Sequence, residues 1–174
     1  YSSYLLGLFY QNGVEEHDFN KALLYYTKSY QQGNVYGLNR IAFSYLNGYG
    51  VNKDFKVAVE YYKQSAELEN SDAIYSLGFC YEKGKGVHQN YTKSIELYQQ
   101  SAKLGNSDAL FRLGFCYELG IGVKQSNAKA IEYYQHSADL GNLDAMNKLG
   151  LFYEHGIEVK QSYTNAIEYY LQSA

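Results

Sequence analysis

The sequence repeats itself about every 36 residues, and that period constrains its fold more tightly than any single residue. The stretch from Ala73 to Asp108 is nearly copied by the 36 residues that follow it. Leu77-Gly78 returns as Leu113-Gly114 and Leu149-Gly150, and appears earlier as Ile41-Ala42 and Leu6-Gly7. Five units of approximately 1–35, 36–71, 72–107, 108–143 and 144–174 fill the chain. A period of this size predicts one repeat domain over 1–174, a stack in which each unit is stabilised by its neighbours.

Within a unit, Ala73, Leu77 and Tyr81 recur at helical spacing and predict a first helix over Ser71–Lys83. Gly78 lies beside that stripe; glycine is costly inside a helix, so its return predicts a close approach by a neighbouring helix. Gly84 is the candidate left-handed cap, followed by Gly86-Val87. The same loop recurs at Gly48/Gly50/Val51 and Gly120/Gly122/Val123, with no strand before it and no Gly-Lys-Ser/Thr after it, so it is not a phosphate loop. A second helix begins near Asn90, with Asp18, Asp54, Ser126 and Ser162 as the equivalent N-caps. Ala22, Ala58, Ser94, Ala130 and Ala166 mark where the two helices of a hairpin touch. The expected fold is all-α, a superhelical solenoid of about five helix hairpins, with no β-strand.

Charged residues make up 19% of the chain and the net charge is −3, which offers no field for a polyanion and predicts no nucleic-acid partner. No apolar run approaches the ~18 residues of a membrane span, so no membrane insertion is expected. There are 22 tyrosines and 8 phenylalanines, so many tyrosine rings must face inward with their hydroxyls at the edge of the core. Cys80 and Cys116 occupy one place in consecutive units and read as small core residues; they form neither a disulfide framework nor a zinc site. A reducing compartment such as the cytoplasm is favoured. His17, His88, His136 and His155 form no metal-ligand spacing with one another or with cysteine, and the acidic residues are dispersed. No cofactor, metal or catalysis is expected. The chain starts at Tyr1 and stops at Ala174 inside the pattern, and reads as a piece of a longer protein.

The recurring Ala-x-x-x-Leu-Gly-x-x-Tyr-x-x-Gly-x-Gly-Val, then Ala-x-x-x-Tyr-Tyr, then Ala-x-x-Gly-Asn, resembles the Sel1-like repeat, a relative of the tetratricopeptide repeat. The resemblance covers essentially the whole chain. It implies right-handed α/α superhelices that act as adaptors and scaffolds, without catalysis. Four places depart from the pattern. Glu158 replaces the second loop glycine of the last unit, and Glu69 the glycine that ends a second helix. Asn127 stands where other units have Phe19, Phe55, Tyr91 or Tyr163, and the first loop is short, with Gly13 alone. If the position of Glu158 needs positive φ, that loop must rearrange or accept strain. The disulfides of the cysteine-rich branch of the family are absent.

The resemblance also implies a partner-binding concave face lined by first helices. It would carry Tyr75, Phe79 and Glu82, then Phe111, Phe115 and Glu118, then Asn147, Leu151 and Glu154, with Asn39, Phe43 and Leu46 one unit earlier. Each trio falls on one helical stripe. Phe79 and Phe115 either meet a ligand or pack between adjacent first helices. Tyr75 and Phe111 vary to asparagine in other units, which packing alone would not explain. The glutamates either meet a basic or amide-rich peptide or are simply solvated; Arg40, Arg112 and Lys148 share a register at the groove edge. The expected partner is another protein or peptide. The alternative is a structural spacer or self-association module, using the uncapped apolar ends around Leu5, Leu6 and Leu8 and around Ile167, Tyr170 and Leu171.

Overall fold

The computed structural model describes residues 2–13 and 17–173. They form ten α-helices and, among the described residues, no strand: α1 Ser2–Gln11, α2 Phe19–Gln31, α3 Tyr36–Asn47, α4 Phe55–Glu67, α5 Ser71–Lys83, α6 Tyr91–Lys103, α7 Ser107–Leu119, α8 Asn127–Asp139, α9 Leu143–His155 and α10 Tyr163–Gln172. Odd helices are first helices of hairpins and even ones second helices, as the repeat predicts. The chain is an all-α repeat solenoid. It divides into two compact units, Tyr1–Asn90 with α1–α5 and Tyr91–Ala174 with α6–α10. The irregular first loop runs through residues 14–16, outside the described ones, as are the terminal Tyr1 and Ala174.

The helix boundaries follow from caps. Asp18, Asp54, Ser126 and Ser162 accept from backbone N–H groups two or three residues on, at the starts of α2, α4, α8 and α10. The first helices use Asn70, Asn106 and Asn142, whose side chains accept from the N–H of Ala73, Ala109 and Ala145 at 2.8–3.0 Å. The Gly-Asn pair that the sequence marks as the end of a second helix is therefore also the start of the next first helix. Gly48, Gly84, Gly120 and Gly156 end first helices in the left-handed conformation. Glu158 adopts φ 57° and Glu69 φ 55°, so both loops keep the glycine geometry and accept its strain in place of rearranging.

Each core is built from small residues that let backbones approach and tyrosines that fill the remaining space. In the first unit, a Cβ on Gly37 would stand 2.7 Å from the Tyr26 carbonyl, so α3 lies directly against α2. Ala22, Tyr26 and Ile41 are buried there. In the second unit Ala130, Tyr134, Leu149 and Phe152 form the buried centre. A further ring pair closes each of four hairpins: Tyr10 stacks on Tyr25, Tyr45 on Tyr61, Tyr117 on Tyr133 and Tyr153 on Tyr169, with centroids 5.4–5.7 Å apart. Much of the tyrosine content is thus structural.

Cys80 and Cys116 are buried and neither is in a disulfide. Burial pushes the Cys80 thiol up to about 11. Neither is expected to react with iodoacetamide at neutral pH until the chain unfolds; mass spectrometry showing rapid native-state labelling of Cys80 would contradict that burial.

Candidate functional site

The residues expected on the partner face sit on first helices, and their surroundings are set by the tyrosines of the second helices. In hairpin four, Gly114 leaves room for the Tyr134 ring: a Cβ there would come within 2.7 Å of it. The ring reaches under α7, and its hydroxyl donates to Glu118 Oε2 at 2.5 Å. In hairpin five, Gly150 seats the Tyr170 ring, whose hydroxyl donates to Glu154 Oε2 at 2.7 Å. In hairpin one, Gly7 seats Tyr26, whose hydroxyl donates to Gln11 Oε1 at 2.5 Å. Glycine, carboxylate or amide, and tyrosine thus form a closed set within each of these hairpins.

Those bonds change how the glutamate ladder is read. Glu118 also takes Lys148 Nζ on Oε1 at 2.9 Å, an ion pair between α7 and α9 with both side chains largely shielded from solvent. Glu82 is only 2% exposed and has Lys83 Nζ at 2.7 Å. Simple solvation, one of the two expectations for these glutamates, does not describe Glu82 or Glu118. A carboxylate at this depth needs hydrogen-bond donors, and the buried phenols need acceptors. The signal was present in the sequence as a fixed spacing of 16 residues from Glu118 to Tyr134 and from Glu154 to Tyr170.

Hairpin two breaks the set. Leu46 occupies the acceptor position, and the Tyr62 hydroxyl, fully buried, has no hydrogen-bond partner among the described residues. Ser76 is near enough to influence the phenol but is not in hydrogen-bonding geometry. Tyr62→Phe is therefore expected to be neutral or to stabilise by up to about 1 kcal/mol. Tyr134→Phe, which strips a charged acceptor of its donor, should destabilise by about 1–2 kcal/mol. Urea denaturation of the two variants checks the opposite signs.

The aromatic positions are also engaged. Phe79 is half-buried with the Lys85 and Lys83 ammoniums 5.2 and 5.9 Å from its ring centre. Lys85, the residue between the two loop glycines, also lies 5.7 Å over Phe55 and so bridges α4 to α5. Tyr49 does the same one hairpin earlier, stacking on Phe19 at 4.4 Å and tilting onto Phe43 at 5.8 Å. Phe115 is flanked by Arg112 at 4.9 Å and Lys148 at 5.9 Å. Phe111 leans on Tyr134 at 5.5 Å. Tyr75 is half-buried on α5. Asn147 and Leu151 are exposed on α9, with Asn147 Oδ1 accepting from Ser173 Oγ at 2.8 Å. Within the second unit the structure thus brings Phe111, Phe115, Glu118, Asn147, Leu151 and Glu154 onto neighbouring first helices; Tyr75, Phe79 and Glu82 share one helix of the first unit.

Among the described residues no three His, Cys, Asp or Glu side chains gather to hold a metal ion. No helix of the described residues is long and apolar enough to cross a membrane.

The Sel1 repeat pattern matches residues 1–34, 35–70, 71–106, 107–142 and 143–174. Among solved structures, the chain is similar to a Sel1 repeat protein from Oxalobacter formigenes, with 28% identity, a TM-score of 0.88, and coverage of 99% of this chain and 71% of that one. A protective antigen of uropathogenic Escherichia coli shares 35% identity over 98% of this chain and 37% of its own, with a TM-score of 0.76. Helicobacter pylori cysteine rich protein B shares 26% identity over 77% of this chain and 96% of its own, with a TM-score of 0.58. Among curated proteins none matches the sequence. Sel1 repeats are generally non-catalytic scaffolds for protein–protein interaction. With five matched repeats spanning its whole length, the chain belongs to the Sel1 repeat family.

Proposed function

We propose that this chain is a non-catalytic adaptor that binds a protein or peptide on the faces of its first helices. The observation that carries the reading is the surface of α7 and α9, where half-buried Phe111 and Phe115 stand beside exposed Asn147 and Leu151. Helical spacing alone does not require large apolar groups to remain accessible there, and accessible aromatics flanked by cations are typical anchors of peptide recognition. Glu118 and Glu154 already have hydroxyl partners, so the aromatics and Leu151 carry the contact and the carboxylates shape its rim. Half-buried Tyr75 and Phe79 supply the equivalent face of α5, with the buried Glu82 beneath it.

The test uses a partner captured by cross-linking and then purified and reconstituted with this chain. Leu151→Glu, an exposed change that leaves the core intact, should weaken binding about tenfold or more, and Tyr75→Ala with Phe111→Ala should do the same. Unchanged affinity in both, with helicity retained by circular dichroism, would remove the first helices as the binding face. The second reading, a spacer or self-association module, is favoured by one observation: α1 exposes Leu5 and Phe9 at 61% and 64%. Concentration-independent sedimentation as a monomer would set its self-association form aside.

A further inference from the structure

We propose that a cleft beside α6, α7 and α8 binds a small carboxylic acid with an apolar tail, whose carboxylate fills the role that Asp139 plays one repeat further on. The closed copy of that place joins α8 to α10. There the Tyr169 hydroxyl donates to Gln135 Oε1 at 2.7 Å, and Gln135 Nε2 donates to Asp139 Oδ1 at 2.9 Å. Phenol, amide and carboxylate thus form a relay between two second helices. The carboxylate is its terminal acceptor and fixes which way the amide faces. On α9, Met146 packs against the core cluster of the unit.

One repeat earlier the chain has the same phenol and the same amide without the carboxylate. Tyr133 and Gln99 correspond to Tyr169 and Gln135, and Lys103 stands in the place of Asp139. A lysine offers no acceptor to the amide N–H, so the relay loses its end. Among the described residues the Gln99 and Tyr133 side chains accordingly make no hydrogen bond, and Lys103 makes no ion pair. A cleft of about 440 Å³ opens there, lined by Gln99, Ala102, Lys103, Leu110, Leu113 and Tyr133. Leu110, where the closed copy has the longer Met146, and Leu113 are both buried and give the cleft an apolar floor.

The chemistry of the occupant follows from these residues. Gln99 brings an amide, Tyr133 a hydroxyl and Lys103 an ammonium, so the polar lining holds donors and one positive charge. A carboxylate can accept from the amide and pair with the ammonium, completing the relay from outside the chain. The leucines call for a tail such as a phenyl or short branched alkyl group. The volume also suits a small molecule, since such sites span roughly 300–1,000 Å³. A cation would be repelled by Lys103, and a wholly polar anion would leave the leucines uncovered. Tyr133 stacks on Tyr117 at 5.4 Å, which holds the phenol in place. The polar lining comes from second helices of one compact unit, so the inference stands apart from the first-helix face proposed above.

The probe is 4-phenylbutyrate, titrated into the nitrogen-15-labelled chain and followed by the side-chain amide signal of Gln99 in NMR spectra. Saturable displacement of that signal is expected. The neutral analogue 4-phenylbutyramide should bind about tenfold more weakly, because it brings no charge to Lys103. Lys103→Met should weaken 4-phenylbutyrate binding by about the same factor. Lys103→Asp is the sharper variant: it supplies the carboxylate from within the chain, as Asp139 does, so binding should be lost. Lys103 is exposed, and circular dichroism of both variants checks that helicity is kept. Three results would each overturn the proposal: no saturable displacement of the Gln99 signal; equal affinity for the acid and its amide; or affinity indifferent to either change at Lys103.

Discussion

Gly86→Ala is expected to destabilise the chain by about 2–4 kcal/mol, far more than the same change at Gly105. Two costs coincide at Gly86. Its φ of 73° lies where an L side chain is strained, and a Cβ there would collide with the Phe55 carbonyl at the start of α4. The collision is with main chain, which cannot swing aside as a side-chain tip can. Gly105 has a similar φ of 83°, yet a Cβ on it would meet nothing within 4 Å. Only the conformational cost remains, about 1 kcal/mol, and Glu69 shows the chain tolerating it at the matching joint. Thermal or urea unfolding of the two variants measures the difference. Equal losses would mean that the Gly86 loop does not press on α4 in solution.

Raising the pH should unfold the protein cooperatively rather than titrate its tyrosines one at a time. Burial pushes the Tyr26 phenol up to about 12 and Tyr62 further still. Burial also raises Tyr134 strongly, aided by its bond to the Glu118 carboxylate, and raises Tyr170 to about 12 in the same way. Each folded value lies above the ordinary phenol value near 10, so the folded state holds protons that the unfolded state releases. The stability tied to these groups is therefore fully present below about pH 10 and is lost as pH rises through 12 and beyond. A shift of about two units corresponds to roughly 3 kcal/mol for a fully buried group such as Tyr26, and several groups act together. Tyrosinate absorbance and helical circular dichroism, followed against pH at fixed salt, should change together above pH 10. Smooth ionisation of all 22 tyrosines near pH 10 with helicity intact would show that these rings are not buried as described.

What could be read from the sequence was whatever a local pattern encodes. The bounds of α5, Ser71–Lys83, follow from the Ala73, Leu77 and Tyr81 stripe and the cap at Gly84. The conditional reading of Glu158 also resolves as strain accepted, since its φ is that of the glycines it replaces. The face of the first helices was harder to read because its chemistry lies between elements. Helical spacing placed Glu118 beside Phe115, but nothing local to α7 shows that Tyr134 and Lys148, from α8 and α9, claim its two oxygens. The same holds for Phe79, whose ring is flanked by Lys85 from the loop after its own helix. Side chains that look like a ligand's anchors in one helix can already be anchored by the next.

The positions of these contacts bear on how such a chain changes length. The tyrosine–acceptor bonds at Gln11, Glu118 and Glu154 each close within one hairpin. The loop glycines Gly50 and Gly86 instead press against the peptide carbonyls of Phe19 and Phe55, a feature every residue possesses. Recognition inside a hairpin is therefore private, and the backbone part of the seam ignores side-chain identity. Contacts such as Lys148 on Glu118 and Lys85 over Phe55 are, by contrast, specific to their pair of hairpins. A hairpin duplicated or moved by recombination would carry its own bond with it and meet a familiar carbonyl at its new seam. As repeat number changes, only the side-chain contacts across the new seam would then call for compensating substitutions.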